Sequence, residues 1–103
     1  MIVRDAAGFR LQGPITMNNV EALLEEGRRL FADGEVTVDL SAVSEVDSTA
    51  VSLLLQWLRD AAGRGQRLTF SNLTPNIQSL ATLYGVTDLI PLAPAGAQRS
   101  AGG

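Results

Sequence analysis

The chain has 103 residues, of which 46% are hydrophobic and 18% charged, and its net charge is -3. This composition fits one folded domain and excludes an intrinsically disordered chain, and the excess of acidic residues disfavours nucleic-acid binding. The sequence lacks cysteine and histidine, which removes disulfides, the commonest metal ligand and the commonest general base. We therefore expect no catalytic residue, no cofactor and no metal site. Since no apolar run approaches the ~20 residues of a membrane span, we also expect a cytoplasmic protein without membrane insertion.

The first half of the chain predicts a hairpin, a helix and a strand. Alternating apolar and polar residues at 2–4 and 9–12, around a turn at 5–8, predict a β-hairpin with one buried face. Apolar residues at spacings of three and four over residues 20–31 predict an amphipathic helix. Residues 35–40 are rich in β-branched side chains and predict a strand, and residues 41–47 read as a polar loop.

The second half begins with the most apolar helix of the chain. Its apolar face is widened by Leu53 and Trp57, and the helix ends near residues 63–65. A strand at 67–71 follows, and Thr74 and Pro75 are a typical helix start. Residues 86–92 predict a last short strand or turn. We divide the chain into a domain at residues 1–92 and a disordered Ala/Gly/Pro-rich tail at residues 93–103.

The order of these elements predicts the fold class. Strand–helix–strand units give parallel pairing through right-handed crossovers, and the leading hairpin adds an antiparallel strand. The sequence therefore predicts an α/β fold in which helices pack against a mixed β-sheet.

The segment 44–50, between the strand at 35–40 and the apolar helix, is the candidate functional site. Asp47 or Ser48 is placed to cap the helix. In a second interpretation, Ser48 or Thr49 is an exposed phosphoacceptor or partner contact, since a phosphate is tolerated at a helix start but changes the contact surface. Trp57 fits either a core position or a partly exposed interface anchor.

One run of residues resembles the signature of STAS domains, the bacterial anti-sigma-factor antagonists and their relatives. The run is Val38-Asp39-Leu40-Ser41-x-Val43-x-x-Val46-Asp47-Ser48-Thr49-Ala50-Val51. The resemblance extends over residues 10–92 and implies the STAS fold. It also implies that Ser48, directly after the aspartate, is the position that a kinase phosphorylates in the antagonists. Ala50 departs from the pattern, since many antagonists have glycine there.

Two further motifs are similar to the MlaB-like group, the cytoplasmic STAS subunits of the ABC transporter that maintains outer-membrane lipid asymmetry. They are Leu11-x-Gly13-Pro14-Ile15-Thr16-x-x-x-Val20 and Leu80-Ala81-x-Leu83-Tyr84-Gly85-Val86. This resemblance implies a non-catalytic subunit that binds and regulates the transporter's ATPase, and we expect Asp47, Leu53 and Trp57 in the interface. The alternative is an anti-sigma-factor antagonist that is controlled by a serine kinase in a partner-switching pathway.

Overall fold

The computed structural model describes residues 1–5, 8–31 and 34–93. Its elements along the chain are β1 (Ile2–Asp5), β2 (Gly8–Leu11), β3 (Gly13–Ile15), α1 (Val20–Leu30), β4 (Glu35–Asp39), β5 (Val43–Val46), α2 (Ser48–Gly63), β6 (Arg67–Ser71), α3 (Pro75–Leu83) and a 3₁₀ turn (Thr87–Leu89). Residues 6–7 of the predicted hairpin turn and residues 94–103 of the predicted tail lie outside the described residues.

Four strands form the main sheet in the order β1-β2-β4-β6. β1 is antiparallel to β2, whereas β2, β4 and β6 run parallel. The parallel pairs are joined through connections that contain α1 and α2, because parallel strands need a crossover connection. The predicted mixed α/β architecture is therefore confirmed.

The core lies between the sheet and the helices. Alternate strand residues are buried, such as Val36 and Val38 in β4 and Leu68 and Phe70 in β6, because successive side chains of a strand point to opposite faces. The intervening positions are polar, and the hydroxyls of Thr37 and Thr69 lie 3.1 Å apart across β4 and β6. One face of the sheet is thus packed and the other is polar.

The prediction of a loop over residues 41–47 is wrong in part. Val43–Val46 form β5, which pairs in parallel with β3 in a separate two-stranded sheet. The pairing buries Ile15 and Val43 and brings the Asp47 amide to 3.2 Å from the Ile15 carbonyl oxygen. The passage before α1 therefore lies beside the start of α2.

The predicted closing element is mainly a turn. After α3 the chain forms the 3₁₀ turn at Thr87–Leu89, and Leu92 then makes a single parallel bridge to Phe70. The amide of Ala93 donates to the carbonyl oxygen of Phe70 at 2.7 Å. This last described segment therefore runs along the outer edge of β6.

Candidate protein-interaction site

Asp47, not Ser48, caps α2. Its backbone is extended, with φ -126° and ψ -170°, and its Oδ1 accepts a hydrogen bond from the amide of Thr49 at 2.9 Å. The Thr49 hydroxyl donates to the same oxygen. A carboxylate in this position satisfies free amide groups and interacts favourably with the helix dipole. Ser48 is left as the exposed first residue of the helix.

The second carboxylate oxygen of Asp47 binds another part of the chain. Oδ2 accepts from the amide of Met17 at 2.9 Å, in the turn between β3 and α1. The hydrogen bond from the Thr49 hydroxyl, together with that from the Met17 amide, lowers the pKa of Asp47. The side chain is therefore an anion at neutral pH, and it ties the start of α2 to the turn before α1.

The two candidate hydroxyls differ in their surroundings. Ser48 is exposed, whereas Thr49 is half-buried and donates its hydroxyl to Asp47. Ser52, one turn further along α2, is also exposed. A partner that approaches the start of α2 therefore meets Ser48 first, and we keep the phosphoacceptor and contact hypotheses for this residue.

Leu53 and Trp57, which the sequence analysis expects in the interface, are both buried in the free chain. Leu53 is 2% exposed and Trp57 is 1% exposed. The indole stacks edge-on against Phe31, with ring centroids 5.1 Å apart, and its Nε1 donates to the Leu24 carbonyl oxygen at 3.3 Å. The wide apolar face of α2 is thus used by the core, because α1 covers it.

Sequence reasoning missed Met17. Its side chain is 73% exposed although its amide is held by Asp47. A single methionine between Thr16 and Asn18 gives no periodic signal. Only the contact between the turn and the cap, which are 30 residues apart, places Met17 beside the start of α2.

The arrangement is that of a contact surface and not of an enclosed pocket. Cavities of about 760 and 430 Å³ share Leu92 in their lining, another of about 560 Å³ lies against α3, and Ser48 lines none of these. Among residues 1–5, 8–31 and 34–93, no group of three or more acidic side chains is placed to hold a metal ion. In the same part of the chain, no helix is both long and apolar enough to cross a membrane.

The fold, a mixed sheet with helices packed against it, is shared with solved anti-sigma-factor antagonists. The unphosphorylated form of SpoIIAA superposes with a TM-score of 0.69 at 17% identity, covering 98% of this chain and 94% of that one. A putative antagonist from Thermotoga maritima gives 0.75 at 11% identity, covering 97% and 92%. A STAS domain protein from Planctomyces limnophilus gives 0.70 at 12% identity, covering 100% and 97%.

The sequence itself identifies the family. The model of the family described as "Mlab, STAS domain" matches residues 2–91, so the chain belongs to this family of STAS domains. No curated protein matches the sequence. The STAS resemblance drawn from the signature run is therefore confirmed, and the identities of 11–17% with the solved antagonists show a common fold and no more.

Proposed function

We propose that this protein is a cytoplasmic, non-catalytic subunit that binds and regulates the ATPase of an ABC transporter for phospholipids, which maintains outer-membrane lipid asymmetry. The observation that carries the proposal is the match of residues 2–91 to the Mlab family of STAS domains. The binding surface is the start of α2, centred on Ser48.

The local geometry supports a contact role for Ser48. The residue is exposed, and its neighbour Asp47 accepts hydrogen bonds from the amides of Thr49 and Ala50. Because the Ser48 side chain is not the cap, it is free to contact a partner without a cost to folding. Its small size lets another protein approach the helix start closely.

Negative charge at this position would act on binding more than on folding. An anion at the first turn of a helix is favoured by the helix dipole, which offsets repulsion from the neighbouring Asp47. A contact surface that closes over Ser48 would have to bury the new charge, and burial of an unpaired charge is costly. Ser48 is therefore suited to govern the interface.

The test is binding of the purified ATPase subunit of the same organism's phospholipid transporter to this protein. We expect a stable complex with the wild-type chain, little change with Ser48→Ala, and a loss of more than tenfold in affinity with Ser48→Glu. The matched control is Ala62→Glu, which adds the same charge to an exposed position near the end of α2, about 21 Å away at 1.5 Å per residue. Equal binding by Ser48→Glu and Ala62→Glu would contradict the role given to Ser48, and no binding by the wild type would contradict the proposed partner.

An anti-sigma-factor antagonist is the second candidate. It is favoured by the fold shared with antagonists such as SpoIIAA and by the exposed hydroxyl of Ser48 directly after Asp47. This function requires a serine kinase that phosphorylates Ser48. Incubation with the organism's anti-sigma-factor kinases and ATP, followed by mass spectrometry of wild type and Ser48→Ala, distinguishes the two functions. Stoichiometric phosphate on Ser48, without binding to the transporter ATPase, would favour the antagonist.

A further inference from the structure

The turn between β3 and α1 holds an exposed methionine in a fixed position. Each backbone amide of residues 16–19 has a hydrogen bond: Thr16 to the Asn19 side chain at 2.9 Å, Met17 to Asp47 at 2.9 Å, Asn18 to the Thr16 hydroxyl at 3.3 Å, and Asn19 to the Thr16 carbonyl oxygen at 3.0 Å. A surface turn with all its amides bonded has little conformational freedom left to lose. Met17 is nevertheless 73% exposed, so a large apolar side chain is presented to solvent on a rigid support.

Asp47 couples this methionine to the start of α2. One oxygen of the carboxylate holds the Met17 amide and the other holds Thr49. Ser48 lies in the sequence between Asp47 and Thr49, the two residues joined by this hydrogen bond at the helix start. Met17 and Ser48 are thereby two exposed positions of one preorganised surface, and preorganisation lowers the entropic cost of binding.

The charged residues nearest to this surface along the chain are acidic. Residues 11–27 and 40–58, which include the turn with Met17 and the start of α2, contain glutamates and aspartate but no arginine or lysine. Glu21, in the first turn of α1, and Glu45, three residues before Ser48, are both exposed. The arginines of α1 and α2 lie in the second halves of these helices, and Arg10, at the end of β2, is paired in register with Asp39. A protein that covers Met17 must therefore complement negative charge as well as an apolar side chain.

We propose that Met17 is the apolar anchor of the interface, and that it inserts into a recess of the partner ATPase that is edged by lysine or arginine side chains. The inference rests on the proposed function and adds a second contact to the one at Ser48. Methionine is suited to this role because its flexible thioether adapts to an apolar recess. Opposite charges around the recess add mainly to the association rate and to specificity.

The experiment measures the affinity of the purified transporter ATPase for variants of this protein, with thermal unfolding as a check of each fold. We expect Met17→Ala to bind roughly tenfold more weakly and Met17→Leu to bind like the wild type. Both substitutions keep the Met17 amide and its hydrogen bond to Asp47. The matched control is Leu83→Ala, since Leu83 is equally exposed, at 72%, on the last residue of α3.

A second arm tests the charge. Affinity for the ATPase should fall as ionic strength rises, because exposed charges are screened, and Glu45→Gln should make this dependence shallower. Glu35→Gln, at the exposed start of β4, should leave it unchanged. Three results would overturn this inference alone. The first is wild-type affinity in Met17→Ala, and the second is an equal loss of affinity in Met17→Ala and Leu83→Ala. The third is an identical salt dependence of binding in Glu45→Gln and Glu35→Gln. No binding by the wild-type chain would overturn the proposed function, and this inference with it.

Discussion

The indole ring of Trp57 occupies the space that a side chain at residue 27 would need. A Cβ atom at Gly27 would lie 2.5 Å from Cε2 and 2.7 Å from Cζ2 of the ring. Both residues are buried, and the ring also contacts Phe31 at a centroid distance of 5.1 Å. α1 can therefore pack this closely against Trp57, the only tryptophan of the sequence, because residue 27 has no side chain.

We therefore expect Gly27→Ala to destabilise the protein. Alanine favours helix by about 1 kcal/mol relative to glycine, but here its methyl group displaces a packed ring and strains the Trp57 hydrogen bond to Leu24. Overpacking of this kind costs about 1–3 kcal/mol, so we expect a net loss in the free energy of unfolding. Urea unfolding followed by tryptophan fluorescence measures it.

Gly63→Ala is the control for this prediction. Gly63 is the last residue of α2, and a Cβ atom there would meet nothing within 4 Å. Its substitution should leave stability unchanged or raise it by a few tenths of a kcal/mol. If Gly27→Ala proves as stable as Gly63→Ala, the close contact between α1 and Trp57 is not present in solution.

A second prediction compares the contributions to stability of Asp47, which caps α2, and of Ser48, its exposed neighbour. Asp47→Ala removes the acceptor for Thr49 and for Met17, so it should lower the free energy of unfolding by about 1–2 kcal/mol. Ser48→Ala removes an exposed side chain that does not cap the helix, so it should change stability by less than about 0.5 kcal/mol. Thermal or urea unfolding of the two variants shows which of them is less stable. A larger loss in Ser48→Ala than in Asp47→Ala would mean that the serine is the cap.

The order of helices and strands could be predicted because each of the longer elements carries its own local signal. For example, Thr74 and Pro75 indicate a helix start, and the Thr74 hydroxyl does accept from the Ile77 amide at 3.3 Å. β3 and β5 carry no such signal. They have three and four residues, and each is a strand only because the other pairs with it.

The sequence indicates those features of the candidate site that depend on neighbours along the chain, and it does not indicate those that depend on tertiary contacts. The sequence offers either Asp47 or Ser48 as the cap, and the structure assigns the cap to Asp47. The exposure of Trp57 stayed open, because a helix with a wide apolar face is equally consistent with a core and with an interface. Trp57 is buried because Gly27 on α1 leaves room for its ring. This packing contact joins two helices and cannot be recognised from the local sequence.

A third prediction concerns acid stability. The pKa of Asp47 is lowered by its hydrogen bonds from the Thr49 hydroxyl and the Met17 amide, and that of Asp60 by its hydrogen bond from Arg28 at 2.8 Å. Both carboxyls have an ordinary value of 3.8, so the unfolded chain binds more protons than the folded one as pH falls. The stabilisation is complete well above pH 3.8 and is lost as pH falls through the lower, folded pKa values.

The unfolding midpoint should therefore fall as pH decreases from neutral into the acid range. Asp47→Asn keeps a side-chain acceptor for the helix amide but cannot titrate, so its stability should depend less steeply on pH. Urea midpoints measured for wild type and Asp47→Asn over this range make the comparison. Parallel pH profiles for the two proteins would show that Asp47 does not contribute to the acid sensitivity.

The last prediction is that the isolated protein hydrolyses neither nucleotides nor esters. The chain contains no histidine, and its eight basic residues are all arginine, which stays protonated and cannot act as a base. A Walker phosphate-binding loop needs a lysine that this sequence lacks.

The structure adds a reason that concerns Asp47, the carboxylate next to Ser48. Both of its oxygens accept hydrogen bonds, from Thr49 and Met17, and its pKa is lowered. It is thus a weak base whose lone pairs are engaged in holding the fold, and it is poorly suited to activate the Ser48 hydroxyl. Purified protein should show no turnover of ATP or of an activated ester, and activity should appear only when the cognate ATPase is added. Turnover by the protein alone, retained through purification and lost in Ser48→Ala, would establish a catalytic serine and contradict the binding role.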